Sequence, residues 1–142
     1  MSLTLPEIRK MAEDWYAALD RHVPLPEALE FLLDEGLEMR FPEATVRGHA
    51  GFAEWYKAVT NRFFDEKHVV TRVDGTVAGD EARVSVLVHW EARMWDPPAP
   101  LSAWLGFDAD QTWVVVPDAA GRLKIKTYIV NELAPVAGSA SL

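Results

Sequence analysis

The sequence has no cysteine, which removes disulfides, thiolate metal sites and a cysteine nucleophile from consideration. Cations are scarce: 14 Lys and Arg stand against 22 Asp and Glu, a net charge of −8. Binding a phosphate backbone needs clustered Lys and Arg, so the balance argues against nucleic acid as a partner. It argues equally against an anionic membrane surface. No run of about 18 apolar residues is available to span a bilayer. The opening MSLTLPEIRK lacks the charged-then-apolar order of a secretory signal, so a cytoplasmic location is expected. There is no HExxH and no His-x-His, and the four histidines fall on different predicted elements. The only metal set to weigh is His68 with Glu43 or Glu66, and neither a metal nor a cofactor is expected. No internal repeat or linker interrupts the chain.

What remains is a core-rich chain of 142 residues, 49% apolar, with six Trp, six Phe and three Tyr. That is one domain's length and enough large side chains to fold alone. Thr4-Leu5-Pro6-Glu7 fits a capping box, with Leu3 and Ile8 as a hydrophobic staple. The helix it opens carries Ile8, Met11, Ala12, Trp15 and Leu19 at helical spacing and ends near His22. A second helix is predicted from Pro26-Glu27 to Gly36. Leu37, Met39 and Phe41 then alternate with charged residues as a short strand that Pro42 ends. A third helix is predicted over 48–64, with Phe52, Tyr56, Val59 and Phe63 on its apolar stripe. Four strands follow, over 68–77, 82–95, 102–116 and 122–131, the third bulged at Gly106. Gly79-Asp80 and the run 118–121 supply tight turns. The last residues, APVAGSASL, read as a loose tail. Helices first and antiparallel hairpins after predict an α+β domain, three N-terminal helices packed on a strongly curved, mostly antiparallel sheet.

Three stretches carry a family resemblance: "WYAALDRHVPLPEALEFLLDEGLEMRFP", "VRGHAGFAEWYKAV" and "QTWVVVPDAAGRLKIKTYIV". In this order and spacing they resemble the NTF2-like superfamily, which includes ketosteroid isomerases, scytalone dehydratase and SnoaL-like polyketide cyclases. The resemblance covers about residues 5 to 133. It implies a cone with an apolar interior, and a strand-Pro-loop-Gly-helix segment that runs along the cone's mouth. It also implies two chains paired through the outer sheet face; alternation puts His89, Glu91 and Arg93 on that face, and Lys124, Lys126 and Tyr128 on the corresponding face of the last strand. Fold alone does not fix activity. Isomerases of the superfamily carry their general base, an Asp, immediately before the matching proline. Phe41 holds that position here, and an apolar ring cannot take a proton. Their oxyanion donors would fall at Trp15 or Tyr16 on the first helix and at Gln111 on a late strand, with Asp110 one register away.

Two residues remain as candidates for proton transfer. Glu43 sits at the expected mouth, where a carboxylate among Trp and Phe can act as a base; the plainer reading is a solvated loop acid. His68, near Asp65 and Glu66, suits acid–base work if a carboxylate orients it; otherwise it is a strand-end histidine bonded to a neighbour or to water. His49, in the first turn of the third helix, reads as surface, and His22 as a helix C-terminal cap. Trp15, Phe41, Phe52, Tyr56, Trp90, Gln111 and Asn131 are the expected ligand contacts, a mostly apolar lining with a few polar tips that suits a small hydrophobic or aromatic molecule. Trp90, Thr127, Ile129 and Asn131 are expected on the inner sheet face. The sequence leaves two functions open: a small-molecule enzyme of isomerase, cyclase or dehydratase type, or a non-catalytic binding or dimerisation module.

Overall fold

In the computed structural model, which describes residues 3–142, α1 spans Leu5–Asp20. Thr4 caps it: its Oγ1 accepts from the Glu7 N–H at 3.3 Å and donates to Glu7 Oε1 at 2.8 Å. Leu3 and Ile8 are both buried, as the staple requires. Tyr16 and Ala18 are buried as well, so the buried stripe is wider than the strict spacing suggests.

The second helix is shorter than its pattern. α2 covers only Leu25–Leu29, because the backbone beyond it finds a better partner. The Ile125 N–H donates to the Phe31 carbonyl at 2.8 Å, and the Leu33 N–H donates to the Ile125 carbonyl at 2.9 Å. A strand edge thus takes up groups that a continuing helix would have bonded internally.

The stretch around Pro42 is a hairpin rather than a strand end. β1 (Glu38–Arg40) pairs antiparallel with β2 (Thr45–Arg47), and Phe41 and Ala44 exchange backbone hydrogen bonds across a Pro42-Glu43 turn. Proline pre-sets the turn's first central φ. Gly48, at φ +66, then starts α3 (Gly48–Arg62).

Four long strands complete the chain: β3 (Phe63–Ala78), β4 (Glu81–Met94), β5 (Ala103–Pro117) and β6 (Leu123–Pro135). The sheet has six strands in the order β2-β1-β6-β5-β4-β3. Every pair is antiparallel except β1 with β6. The sheet is open, so its curl comes from twist and from irregular pairing. No helix among the described residues is long and apolar enough to cross a membrane.

Register irregularities decide which side chains face in. Val115 pairs with Ile125 but Val114 with Thr127, so Lys126 is an extra residue. Gln111 pairs with Val130 but Asp110 with Glu132, so Asn131 is a second one. Each extra residue inverts the alternation. Tyr128 is therefore buried on the inner face and not on the outer one. Asn131 is exposed on the outer side, its amide donating to Thr112 Oγ1 at 2.9 Å, and is no part of the interior. Lys124 reaches the Glu30 carbonyl.

Gly106 is not a bulge: it pairs in register with Glu91. It is a close approach, where an added Cβ would come within 2.4 Å of the Trp104 ring. Nor is the C-terminal segment loose. The Gly106 N–H donates to Ser139 Oγ at 3.0 Å, and the Ala140 N–H donates to the Trp104 carbonyl at 2.9 Å.

Candidate functional site

A cavity of about 910 Å³ lies between the helices and the curved sheet. Its floor is formed by Tyr16, Gln111 and Tyr128, all nearly inaccessible. The tryptophans do not fill it. Trp15 and Trp113 are packed in the core, Trp90 forms a wall and Trp55 stands at the rim. Phe41 stacks on Trp55 with ring centroids 4.0 Å apart and planes at 7°.

One irregularity brings the polar groups inside. In β3, Phe64 pairs with Arg93 and Lys67 with Glu91, so Asp65 and Glu66 together oppose Ala92. Asp65 takes φ +50, the left-handed conformation such a bulge uses. Phe63 is buried; after the extra residue Glu66 and His68 face the cavity too. Unbroken alternation from Phe63 would have sent both outward.

His68 is then held on three sides. Its Nδ1 lies 2.5 Å from Asp20 Oδ1, and its backbone N–H donates to Asp20 Oδ2 at 2.9 Å. Asp20 is the last residue of α1. The carboxylate fixes the hydrogen on Nδ1 and leaves the Nε2 lone pair free. The imidazole stacks on Tyr16 at 4.5 Å and on Trp90 at 6.1 Å. An oriented imidazole with one free nitrogen on an apolar cavity is a competent general base.

Glu66 carries a second such pair. It accepts from Trp90 Nε1 at 3.2 Å and is hydrogen-bonded to His22 Nε2. His22 sits at φ +49 just beyond α1, so it serves Glu66 and not only the helix end. His49, read as surface, is half-buried and bonds the Leu32 carbonyl at 2.9 Å.

The floor is a hydrogen-bond network centred on Gln111. Gln111 Oε1 accepts from Tyr16 OH and from Trp113 Nε1, each at 2.8 Å. An indole N–H can only donate, so that amide atom is the oxygen. The Gln111 NH2 makes no hydrogen bond of normal length to the protein among the described residues; it lies near the Tyr128 hydroxyl, and Gln111 borders the cavity. The Tyr16 proton goes to Gln111, so Tyr128 is the donor in the 2.7 Å contact between the two hydroxyls. Burial pushes the Tyr16 hydroxyl well above its ordinary pKa, with Tyr128 adding to it, and burial also raises Tyr128. Both are therefore neutral donors. A group whose folded pKa is raised adds stability that is intact below the unfolded value and is lost as pH climbs through the folded one. Stability is expected to decline above about pH 10, the unfolded tyrosine value. In an absorbance titration of tyrosinate, two of the three tyrosines (Tyr16 and Tyr128) should ionise only with unfolding.

Of the predicted contacts, Phe41, Tyr56, Trp90 and Gln111 border the cavity. Tyr56 presents only its ring, since its hydroxyl donates to the Val23 carbonyl at 2.6 Å. Trp15 and Phe52 have no exposed surface and do not border the cavity; they pack beneath it. Glu43 is exposed on the rim, where it accepts from Trp55 Nε1 at 3.2 Å. Spacing alone gives Asp20 no role and His22 only that of a helix cap, leaves the α1 donor open between Trp15 and Tyr16, and puts Tyr128 on the wrong face. On the outer face His89 bonds Asp108 at 2.8 Å and Glu91 at 3.0 Å. The Asp108 hydrogen bond, then that of Glu91, raises its pKa. Both its ring nitrogens are engaged, and among the described residues no group of three or more His, Asp or Glu is disposed to hold a metal ion.

The model of a SnoaL-like domain matches residues 12–123. No curated protein matches the sequence. Among solved structures, a candidate scytalone dehydratase from Novosphingobium aromaticivorans DSM 12444 is 18% identical, with 94% of this chain and 93% of that one aligned at a TM-score of 0.73. A ketosteroid isomerase-like protein from Erwinia carotovora atroseptica is also 18% identical, covering 94% and 96% at 0.72. Hexachlorocyclohexane dehydrochlorinase LinA-type3 from Novosphingobium barchaimii LL02 is 17% identical, covering 95% and 91% at 0.74. At these identities the likeness is one of fold.

Proposed function

The chain belongs to the SnoaL-like domain family, and from that premise we propose that it is an enzyme that removes a proton from carbon in a small hydrophobic, ring-bearing molecule. The observation that carries this reading is His68, oriented by Asp20 and bordering an aromatic cavity. His68 Nε2 is the base. Asp20 holds the tautomer and stabilises the imidazolium that forms. The free Gln111 NH2 receives the oxygen on which negative charge develops, since a fixed donor in a site poor in water is worth most there. Phe41, Trp55 and Trp90 grip the rings of the substrate. Two of the similar structures are named for loss of water and loss of HCl, and in either reaction a hydrogen leaves carbon. The case for a mere binding module rested on Phe41 standing where isomerases carry their acid; a base supplied by β3 removes that objection.

Nitrobenzisoxazole tests the proposal without knowledge of the natural substrate. Loss of its one acidic C–H proton breaks the N–O bond and releases a coloured cyanophenolate. Saturable turnover faster than that of free imidazole at equal concentration is expected. A rate no higher than that of free imidazole overturns the proposal. Pairing of two chains through the outer sheet face is a separate proposal, supported by the mixed-sign set His89, Glu91 and Arg93; a native mass of one chain would overturn it.

A further inference from the structure

The end of α1 and the bulged start of β3 meet twice. Asp20 on the helix holds His68 on the strand, and two residues later His22 holds Glu66, two residues earlier on the strand. The polarity is reversed between the pairs: one presents an imidazole to the cavity, the other a carboxyl. The Glu66 side chain is only 11% exposed, whereas His22 is 28% exposed and in contact with solvent. A carboxyl with no catalytic use could have stayed outside, where unbroken alternation would have put it. The bulge at Asp65 turns it in together with the base.

We propose that Glu66, coupled to His22, is the second proton-transfer residue of the site, delivering a proton to a departing oxygen while His68 removes one from carbon. The inference rests on His68 being the base. It names the substrate class as a β-hydroxy carbonyl compound on a hydrophobic ring. His68 Nε2 takes the proton α to the carbonyl, whose oxygen is bound by the Gln111 NH2. The electron pair forms the C=C bond, the C–O bond at the β carbon breaks, and the oxygen leaves as water with the proton held between Glu66 and His22. The two pairs then exchange one proton through solvent, to which His22 is open, and the site is restored. Glu66 is the catalytic residue here, and His22 is its positioning and proton-supplying partner. A reaction whose leaving group departs as a stable anion has no need of either.

Two ketones separate these roles: the β-hydroxy ketone that loses water to give benzylideneacetone, and its β-acetoxy counterpart, which yields the same product by losing acetate. Glu66→Gln keeps an oxygen for Trp90 Nε1 and is nearly the same size. On the hydroxy ketone it should lower kcat by about 100-fold or more, and on the acetoxy ketone and on nitrobenzisoxazole by less than about threefold. His22→Ala should show the same split, with added imidazole restoring the hydroxy ketone rate alone. Equal losses on both ketones would reduce the pair to structure and overturn the proposal. So would wild-type turnover of the acetoxy ketone only, or of neither ketone by protein that still opens nitrobenzisoxazole. In each of those outcomes the nitrobenzisoxazole rate reports separately whether His68 is the base.

Discussion

His68→Gln should lower the rate of nitrobenzisoxazole opening by about 100- to 10,000-fold, the range that a positioned general base contributes. Glutamine is close in volume and polar, so the stack between Tyr16 and Trp90 is kept in part. Its amide can still donate toward Asp20, but it has no lone pair basic enough to take a proton from carbon. Asp20→Asn tests the orienting carboxylate. It retains an oxygen for the His68 backbone N–H but removes the charge that favours the imidazolium, and it can turn its NH2 toward Nδ1 and force the wrong tautomer. A loss smaller than that of His68→Gln is expected, mostly in kcat. Circular dichroism and the thermal midpoint check that both variants fold. Full activity in folded His68→Gln protein would show that His68 is not the base.

Local rules reached the architecture because its elements are locally written. The Thr4 cap, the apolar stripe of α1 and the alternation from Val84 to Trp90 each follow from spacing alone. The chain resemblance added the curl and the mouth. The site was harder because β-bulges built it, and a bulge leaves no mark on the alternation except a failure of it. At Phe63-Phe64-Asp65-Glu66 that failure sits among charged residues, where no apolar pattern shows a break. In β6 the run Ile125, Thr127, Ile129, Asn131 alternates so cleanly that it favours the wrong face. The true inner set, Ile125, Tyr128 and Val130, steps by three and then two. The pairing of Asp20 with His68 spans 48 positions and has no local signal. α2 ended early for a tertiary reason, the capture of its backbone by β6.

Phe52→Ala is the largest stability change expected, and it separates the wall of the cavity from what lies behind it. Phe52 has no exposed surface. Its ring lies 5.3 Å from that of Tyr56, 5.7 Å from Trp55 and 5.9 Å from Trp15. Truncation removes the ring's burial and leaves a hole that rigid aromatic neighbours cannot close, a loss of about 3–5 kcal/mol. For a chain of this length that corresponds to a fall of roughly 10–20 °C in Tm. If Phe52 only supports the site, the folded variant at low temperature should keep its KM for nitrobenzisoxazole within a few-fold. Trp90→Phe makes the contrast. It keeps an aromatic wall but removes the N–H that Glu66 accepts, so it should leave stability nearly unchanged and slow the hydroxy ketone reaction. A Phe52→Ala protein that is as stable as the wild type but binds the probe poorly would put that ring back on the wall, where the spacing of α3 first placed it.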